Sequence, residues 1–263
     1  MKKIIKRIVA VMLVIFLCVV VYFANGFFGN PVSKALATRS IKNYVEENYE
    51  DVEIEKIGYD LKTCGYYGHI KSTVSQDTHF SVYTSMLGQI ERDTYDNVTS
   101  GYNTYLRISR EYEDLCEVAF ANQDYKQGVV AFMFNIKEKE LNTYKDLNNG
   151  IDLSSLEIDK TYDIKAMSKD YGHIVVYATS DDVTVETMAK GMLEIKNVLA
   201  KEGIYFNTMD YELSQKDSKL SGLKVEKVLY SDIYEEGLVD RLEKEIKQLE
   251  DYYKELDKET KVD

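Results

Sequence analysis

The sequence is poor in the residue types from which most catalytic and metal sites are built. It contains three histidines, three cysteines, one proline and no tryptophan among 263 residues. It shows no Ser/His/Asp triad pattern, no glycine-rich phosphate loop and no His-Glu-x-x-His helix. The sequence therefore predicts no catalytic residue, no metal site and no bound cofactor.

The missing tryptophans bear on how the 22 tyrosines are interpreted. Tryptophan is the preferred stacking platform for glycans, and many of the tyrosines stand at positions with the periodicity of a core. We therefore interpret the tyrosines as core and interface residues. A tyrosine-lined stacking surface stays an alternative.

The charge of the chain is strongly acidic, with a formal net charge of −12 at pH 7. Every acidic residue lies at or after Glu46, whereas four basic residues stand within the first seven positions. Such a charge repels phosphate backbones and anionic lipid heads, which argues against nucleic-acid and membrane-surface binding. Cationic partners or divalent ions remain possible, and solubility alone would also explain the charge.

The longest apolar run, residues 8–24, contains no polar group except the Tyr22 hydroxyl. Extended to residue 28 it reaches about 21 residues, or ~31 Å of helix, which matches a bilayer. The sequence predicts a transmembrane signal-anchor at 8–28 in contact with the lipid bilayer, a cytoplasmic flank at 1–7 and an extracellular remainder. Cleavage would need a small residue where Tyr22 stands, and lipidation would need small residues before Cys18.

The remainder predicts an α+β fold of two small units with antiparallel sheets. The first, residues 29–125, shows a helix, three or four strands and a second helix. Its first helix is predicted to start at Asn30 and Pro31, since asparagine caps helices and proline suits their first position.

The second unit, residues 126–263, shows a buried strand, a hairpin formed by 161–167 and 172–179, a helix and two further strands. It ends in a long amphipathic helix over 233–259, for which Asp232 is the predicted cap.

Two histidines, His69 and His79, fall on adjacent strands of the predicted first hairpin and raise a metal hypothesis. The predicted register places them three or four residues apart along the ladder, roughly 10–13 Å. Zinc ligands must lie about 2 Å from the metal, so this pair is interpreted as structural or surface histidine.

Residues 146–157 carry oxygen ligands at several calcium-loop positions, including a final glutamate. Gly150 stands at position 5 of the loop, and Ile151 occupies position 6, where a calcium loop requires glycine. A plain polar loop is therefore favoured over a calcium site. Paired catalytic carboxylates stay open, because 45 acidic residues give too many candidates. A disulfide between Cys64 and Cys116 also stays open, since an exported chain would permit one.

Four segments in order resemble the YfjL-like family of membrane-anchored proteins from low-GC Gram-positive bacteria. They are Gly-Asn-Pro-Val-Ser-Lys at 29–34, Gly-Tyr-Tyr at 65–67, Asp-Thr-His-Phe at 77–80 and Ser-Gly-Tyr-Asn-Thr at 100–104. The resemblance implies an exported region in two parts. It carries over no catalytic residues, and the turn at 62–64 lacks the acidic character expected there.

The function favoured by the sequence is a non-enzymatic binding or interaction module of the cell envelope, with an unidentified protein or envelope partner. The alternatives are a cell-wall hydrolase that uses paired carboxylates and a calcium-responsive module at 146–157. The oligomeric state is left open.

Overall fold

The computed structural model describes residues 2–121, 128–134, 150–216 and 222–259. The chain divides into two compact units, Met1–Asn103 and Thr104–Asp263. Each unit contains one four-stranded sheet.

Helix α1 (Lys2–Phe28) does not support the membrane anchor that the sequence predicts. In the described part of the chain, no helix combines the length and the apolar character needed to cross a membrane. A span needs about 20 consecutive apolar residues. This finding overturns the predicted anchor at 8–28 and, with it, the single-pass topology and extracellular location that rested on it.

The first unit is an antiparallel meander covered by one long helix. Its strands lie in chain order in the sheet. The elements after α1 are α2 (Pro31–Asn48), β1 (Val52–Asp60), β2 (Gly65–Ser72), β3 (His79–Thr84), β4 (Ile90–Asp93) and α3 (Asp96–Thr99). Helix α2 starts where predicted, because the Asn30 side chain accepts a hydrogen bond from the Ser33 amide at 2.9 Å.

The core of the first unit lies between α2 and one face of the sheet. Ile41 and Val45 of α2 pack against strand residues that include Ile70 and Phe80, all at most 4 % exposed. Gly68 permits this close approach, since an added Cβ would lie 2.8 Å from the Ile41 Cγ2 atom.

The second unit contains a mixed sheet in the order β5-β6-β7-β8. Strands β6 and β7 are parallel, with a helix between them in the chain, and the other two pairings are antiparallel. The elements are α4 (Tyr102–Ala121), β5 (Gly128–Met133), α5 (Ile164–Tyr171), β6 (Gly172–Ser180), α6 (Val185–Lys201), β7 (Thr208–Gln215), β8 (Leu223–Leu229) and α7 (Leu238–Glu259).

Two features of this unit differ from the sequence prediction. The segment 161–167 is not a hairpin strand: Asp163 accepts a hydrogen bond from the Ala166 amide at 3.0 Å and starts α5. The sheet is not purely antiparallel, because α6 is the crossover that a parallel pair requires.

The last helix begins at Leu238 instead of residue 233. The residues before Leu238 form a loop that Arg241 stabilises. The Arg241 guanidinium donates to the carbonyls of Asp232, Tyr234 and Glu236 at 2.6–3.0 Å. Gly237, with a φ of 65°, makes the turn into the helix.

From Thr104 onward helix α4 belongs to the second unit, although the sequence groups it with the preceding strands. The Tyr105 hydroxyl donates to the Met133 carbonyl at 2.7 Å, and the Tyr112 hydroxyl donates to the Tyr205 carbonyl at 2.9 Å.

Candidate functional site

The face of the first sheet opposite α2, called the open face below, carries aromatic and basic side chains. Antiparallel sheets commonly bury one face and leave the other in contact with solvent. The residues of the open face alternate with the core residues along the strands: Glu53, Lys56, Gly58, Asp60, Tyr67, His69, Lys71, His79, Ser81, Tyr83 and Arg92. The side chains of Lys56, His69, Lys71 and Arg92 are exposed, and both tyrosines are half-buried.

Four of these residues form one row across all four strands. Gly58 pairs with Tyr67, Tyr67 with Tyr83, and Tyr83 with Arg92. An added Cβ at Gly58 would lie 2.4 Å from the Tyr67 hydroxyl oxygen, so the Tyr67 ring extends over β1 at the glycine. The Tyr67 and Tyr83 ring centroids are 6.4 Å apart.

The row ends in a cation–π contact on β4. The guanidinium carbon of Arg92 lies 4.1 Å from the Tyr83 ring centroid, well within the range of such contacts. Stacking limits the motion of the guanidinium while its edge N–H groups stay able to donate. The row therefore combines two aromatic rings with an oriented cation.

His69 lies in the neighbouring row of the open face. Its Nδ1 atom is 2.8 Å from the Ser81 Oγ atom, and its ring centroid is 4.8 Å from that of Tyr67. The backbone amide of Ser81 donates to the Thr94 hydroxyl at 2.9 Å. These contacts hold the imidazole beside the aromatic row.

The cations of the open face differ in their pairing. Lys71 lies 3.4 Å from a carboxylate oxygen of both Glu53 and Glu55, and these two hydrogen bonds raise the pKa of its ammonium group. Among the residues that the structure describes, no carboxylate lies within ion-pair distance of Lys56 or Arg92. The charge of Lys71 is thus neutralised by its neighbours, whereas the charges of Lys56 and Arg92 are not paired with a described carboxylate.

The two histidines singled out by sequence lie closer together than predicted. His79 pairs with Lys71 and His69 pairs with Ser81, so both histidines lie on the open face, two residues apart in the register. The predicted register was wrong because the turn is centred on Ser75 instead of Gln76, as the hydrogen bond from the Ser72 amide to the Thr78 carbonyl shows. In the described ranges, no group of three or more His, Cys, Asp and Glu could hold a metal ion.

The candidate calcium loop is only partly described, since 146–149 lie outside the described residues. Of its other candidate ligands, the Asp152 carboxylate accepts from the Ser154 amide at 3.0 Å and from its hydroxyl at 2.7 Å. These bonds lower the pKa of Asp152. Glu157 pairs with Lys160. Both carboxylates therefore bind residues two or three positions away in the chain and stabilise local turns.

The carboxylate of Asp93 lies in a hydrogen-bonded cluster of the first unit, and this cluster has a structural role. The Oδ2 atom of Asp93 accepts from the hydroxyls of Tyr44 at 2.5 Å and Tyr49 at 2.7 Å, and Oδ1 accepts from the Tyr95 amide at 3.0 Å. Burial alone would raise the pKa of Asp93, but these hydrogen bonds outweigh it and lower the pKa. A general acid needs the opposite shift.

The second unit holds a buried histidine that the sequence did not single out. His173 is 2 % exposed, and its Nδ1 atom lies 2.8 Å from the Thr208 Oγ1 atom. Its Nε2 atom lies 3.5 Å from Asp210 Oδ2. Thr208 is 1 % exposed, so a substrate cannot reach its hydroxyl without rearrangement. The pairing is typical of a satisfied core histidine.

Cys64 and Cys116 do not form the disulfide that the sequence left open. Cys64 is free and exposed, and Cys116 is free and buried. Burial raises the pKa of the Cys116 thiol to about 12. Cys64 borders an apolar pocket of about 360 Å³ lined by Phe23, Asn25, Gly26, Phe27, Leu61, Cys64 and Met86. The pocket contains no carboxylate, imidazole or amine for acid–base chemistry.

Comparison with known families identifies the chain. Residues 1–97 match the YfjL-like N-terminal domain, and residues 133–243 match the YfjL-like C-terminal domain. The chain belongs to the YfjL-like family. This confirms the resemblance drawn from the sequence motifs, although neither match shows membrane attachment or a Gram-positive source. No curated protein and no solved structure matches the YfjL-like chain. The open face lies entirely within the matched N-terminal domain.

Proposed function

We propose that this YfjL-like protein is a non-enzymatic binding module and that the open face of the first sheet contacts its partner. The observation that carries the proposal is the row formed by Gly58, Tyr67, Tyr83 and Arg92. It presents two half-buried rings and an oriented guanidinium on the side of the sheet away from α2.

The composition of this row is typical of a recognition surface. Tyrosine and arginine are enriched among the residues that contribute most binding energy at interfaces. Both tyrosines are already held in place by neighbouring strands, so little side-chain entropy is lost on binding. Gly58 supports this reading, because its missing side chain gives the Tyr67 ring a flat position over β1.

The hydrolase alternative lacks a comparable observation. The carboxyls whose pKa departs from its ordinary value, Asp93 and Asp152, are both shifted downward. A wall hydrolase of the predicted kind would require a carboxylic acid held neutral near pH 7 beside a second carboxylate.

The test is photo-crosslinking from the full-length chain. A photoreactive phenylalanine analogue replaces Tyr83 in one variant and the exposed Lys42 of α2, on the other side of the sheet, in the control. The proposal expects a partner captured from position 83 and not from position 42. The purified partner should then bind the unmodified chain, and Tyr67→Ala together with Tyr83→Ala should weaken that binding.

Two results would overturn the proposal. One is equal capture from positions 83 and 42, which would indicate non-specific contact. The other is a captured protein whose binding does not change when both tyrosines are removed. Circular dichroism of each variant checks that the sheet is intact.

A further inference from the structure

We propose that the ligand of the open face is a short, extended acidic peptide segment of a protein partner, whose carboxylates pair with Arg92 and Lys56. This inference rests on the proposed function and specifies its partner class. Size, charge and spacing each support it.

The size of the open face fits a peptide better than a flat globular surface. Four strands spaced about 4.8 Å apart span roughly 14 Å, and a six-residue strand such as β3 is about 20 Å long. The projected area is therefore roughly 300 Å², whereas a standard interface between globular proteins buries about 800 Å² on each partner. A short extended segment covers the smaller area completely.

The charge of the open face selects anionic groups. The chain carries −12 overall, yet Lys56 and Arg92 have no carboxylate partner among the described residues. The guanidinium of Arg92, stacked 4.1 Å from the Tyr83 centroid, keeps its N–H groups in the planar arrangement that binds a carboxylate through two hydrogen bonds. Nucleic acid is disfavoured, because the negative charge of the whole chain repels a long phosphate backbone.

The spacing of the two cations sets the spacing of the ligand's acids. Lys56 lies on β1 and Arg92 on β4, three strand intervals apart and one row apart along the strands. The Arg92 guanidinium lies over Tyr83 on β3, so the two charges are about two strand intervals and one row apart, roughly 11–13 Å, which equals about four residues of extended chain at about 3.3 Å each. Side chains between the two acids would lie over the Tyr67 ring.

The test is an NMR titration of the isotope-labelled full-length chain with two short peptides. The probe is acetyl-Glu-Val-Tyr-Val-Glu-amide, and its control replaces both glutamates by glutamine. The blocked ends carry no charge, so the peptides differ only at the two carboxylates. The inference expects amide shifts on β1 and β4 with the first peptide, at least about tenfold weaker binding of the second, and weakening by 0.5 M salt.

Matched variants assign the contacts. Arg92→Gln and Lys56→Gln should each weaken the acidic peptide about tenfold. Lys42→Gln is the control, since it removes the same charge from α2, on the other side of the sheet, and should change binding less than twofold. All three side chains are exposed, so folding should be retained.

The outcomes separate this inference from the proposed function. The acidic-peptide assignment is overturned by equal binding of the glutamine peptide, by an equal loss from Lys42→Gln, or by no shift on the open face with either peptide. Salt-independent shifts from a neutral oligosaccharide at the same amides would also overturn it. Crosslinking from position 83 could still succeed in each case, in which event only the partner class fails.

Discussion

Replacement of Asp93 by asparagine tests whether the tyrosine–carboxylate cluster stabilises the first unit. The substitution keeps the shape of the side chain and removes its charge. In the native chain one oxygen, Oδ2, accepts from both Tyr44 and Tyr49. An asparagine has one side-chain oxygen, which can face either the two hydroxyls or the Tyr95 amide, so at least one of the three donors would lose its acceptor.

The expected cost follows from the number of charge-assisted bonds. A hydrogen bond to a charged group contributes about 1.5–3 kcal/mol, and Asp93→Asn weakens two of them while keeping most contacts. We expect the free energy of unfolding to fall by about 2 kcal/mol. For a unit of roughly 100 residues this corresponds to a Tm decrease on the order of 8–16 °C.

The pH dependence gives a second, independent readout. The pKa of Asp93 is lower in the folded state than in the unfolded chain. The stability it contributes is therefore present above the unfolded pKa and is lost as the pH falls through the folded pKa. The difference between native chain and Asp93→Asn should be full at pH 7 and should shrink below about pH 4.

The assay is thermal unfolding followed by circular dichroism at pH 7 and at pH 3, with Glu91→Gln as control. Glu91 is an exposed carboxylate on the same strand, and its removal should change Tm by no more than a few degrees. Because the chain has two units, only one transition is expected to move. An Asp93→Asn variant as stable as the native chain, or equally destabilised at both pH values, would refute the reasoning.

Three further predictions concern other parts of the chain. Gly58→Ala should displace the Tyr67 ring, seen as a loss of its proton contacts in NMR, while stability changes by less than about 1 kcal/mol, because the clash involves the far end of a flexible side chain. A thiol reagent should label Cys64 rapidly and Cys116 only after unfolding, as peptide mass spectrometry would report; equal rates would contradict the burial of Cys116. Lys196→Met should lower the free energy of unfolding by about 1–3 kcal/mol in urea titrations, since its ammonium donates to two backbone carbonyls at 2.6 and 2.9 Å, and an unchanged midpoint would show these bonds to be dispensable.

Local signals in the sequence predicted individual elements well where the stabilising contacts are themselves local. Asn30 caps α2 through a hydrogen bond only three residues away, and the strands on either side of the first hairpin follow from alternating side chains. The start of α5 carries a similar local signal in Asp163, but the apolar alternation around it favoured a strand. The predicted start of the last helix at residue 233 was also wrong. The Arg241 guanidinium binds the backbone carbonyls that would otherwise accept hydrogen bonds within the helix.

The candidate site was less accessible to sequence reasoning. The tyrosines were interpreted as core and interface residues, and nothing in the sequence set Tyr83 or Arg92 apart. Their significance depends on which residues face each other across the strands. A shift of one residue in the β2–β3 pairing would place Tyr67 and Tyr83 on opposite faces of the sheet.

The sequence by itself determined the α+β class, the family, the acidic charge and the capped start of α2. Only the tertiary structure decided the mixed order of the second sheet, the free state of Cys64 and Cys116, and the row that joins Gly58 to Arg92. The physical reason is the range of the interactions. Capping and periodicity act within one or two turns, whereas strand register and side-chain stacking arise from residues that lie far apart in the chain and meet only on folding.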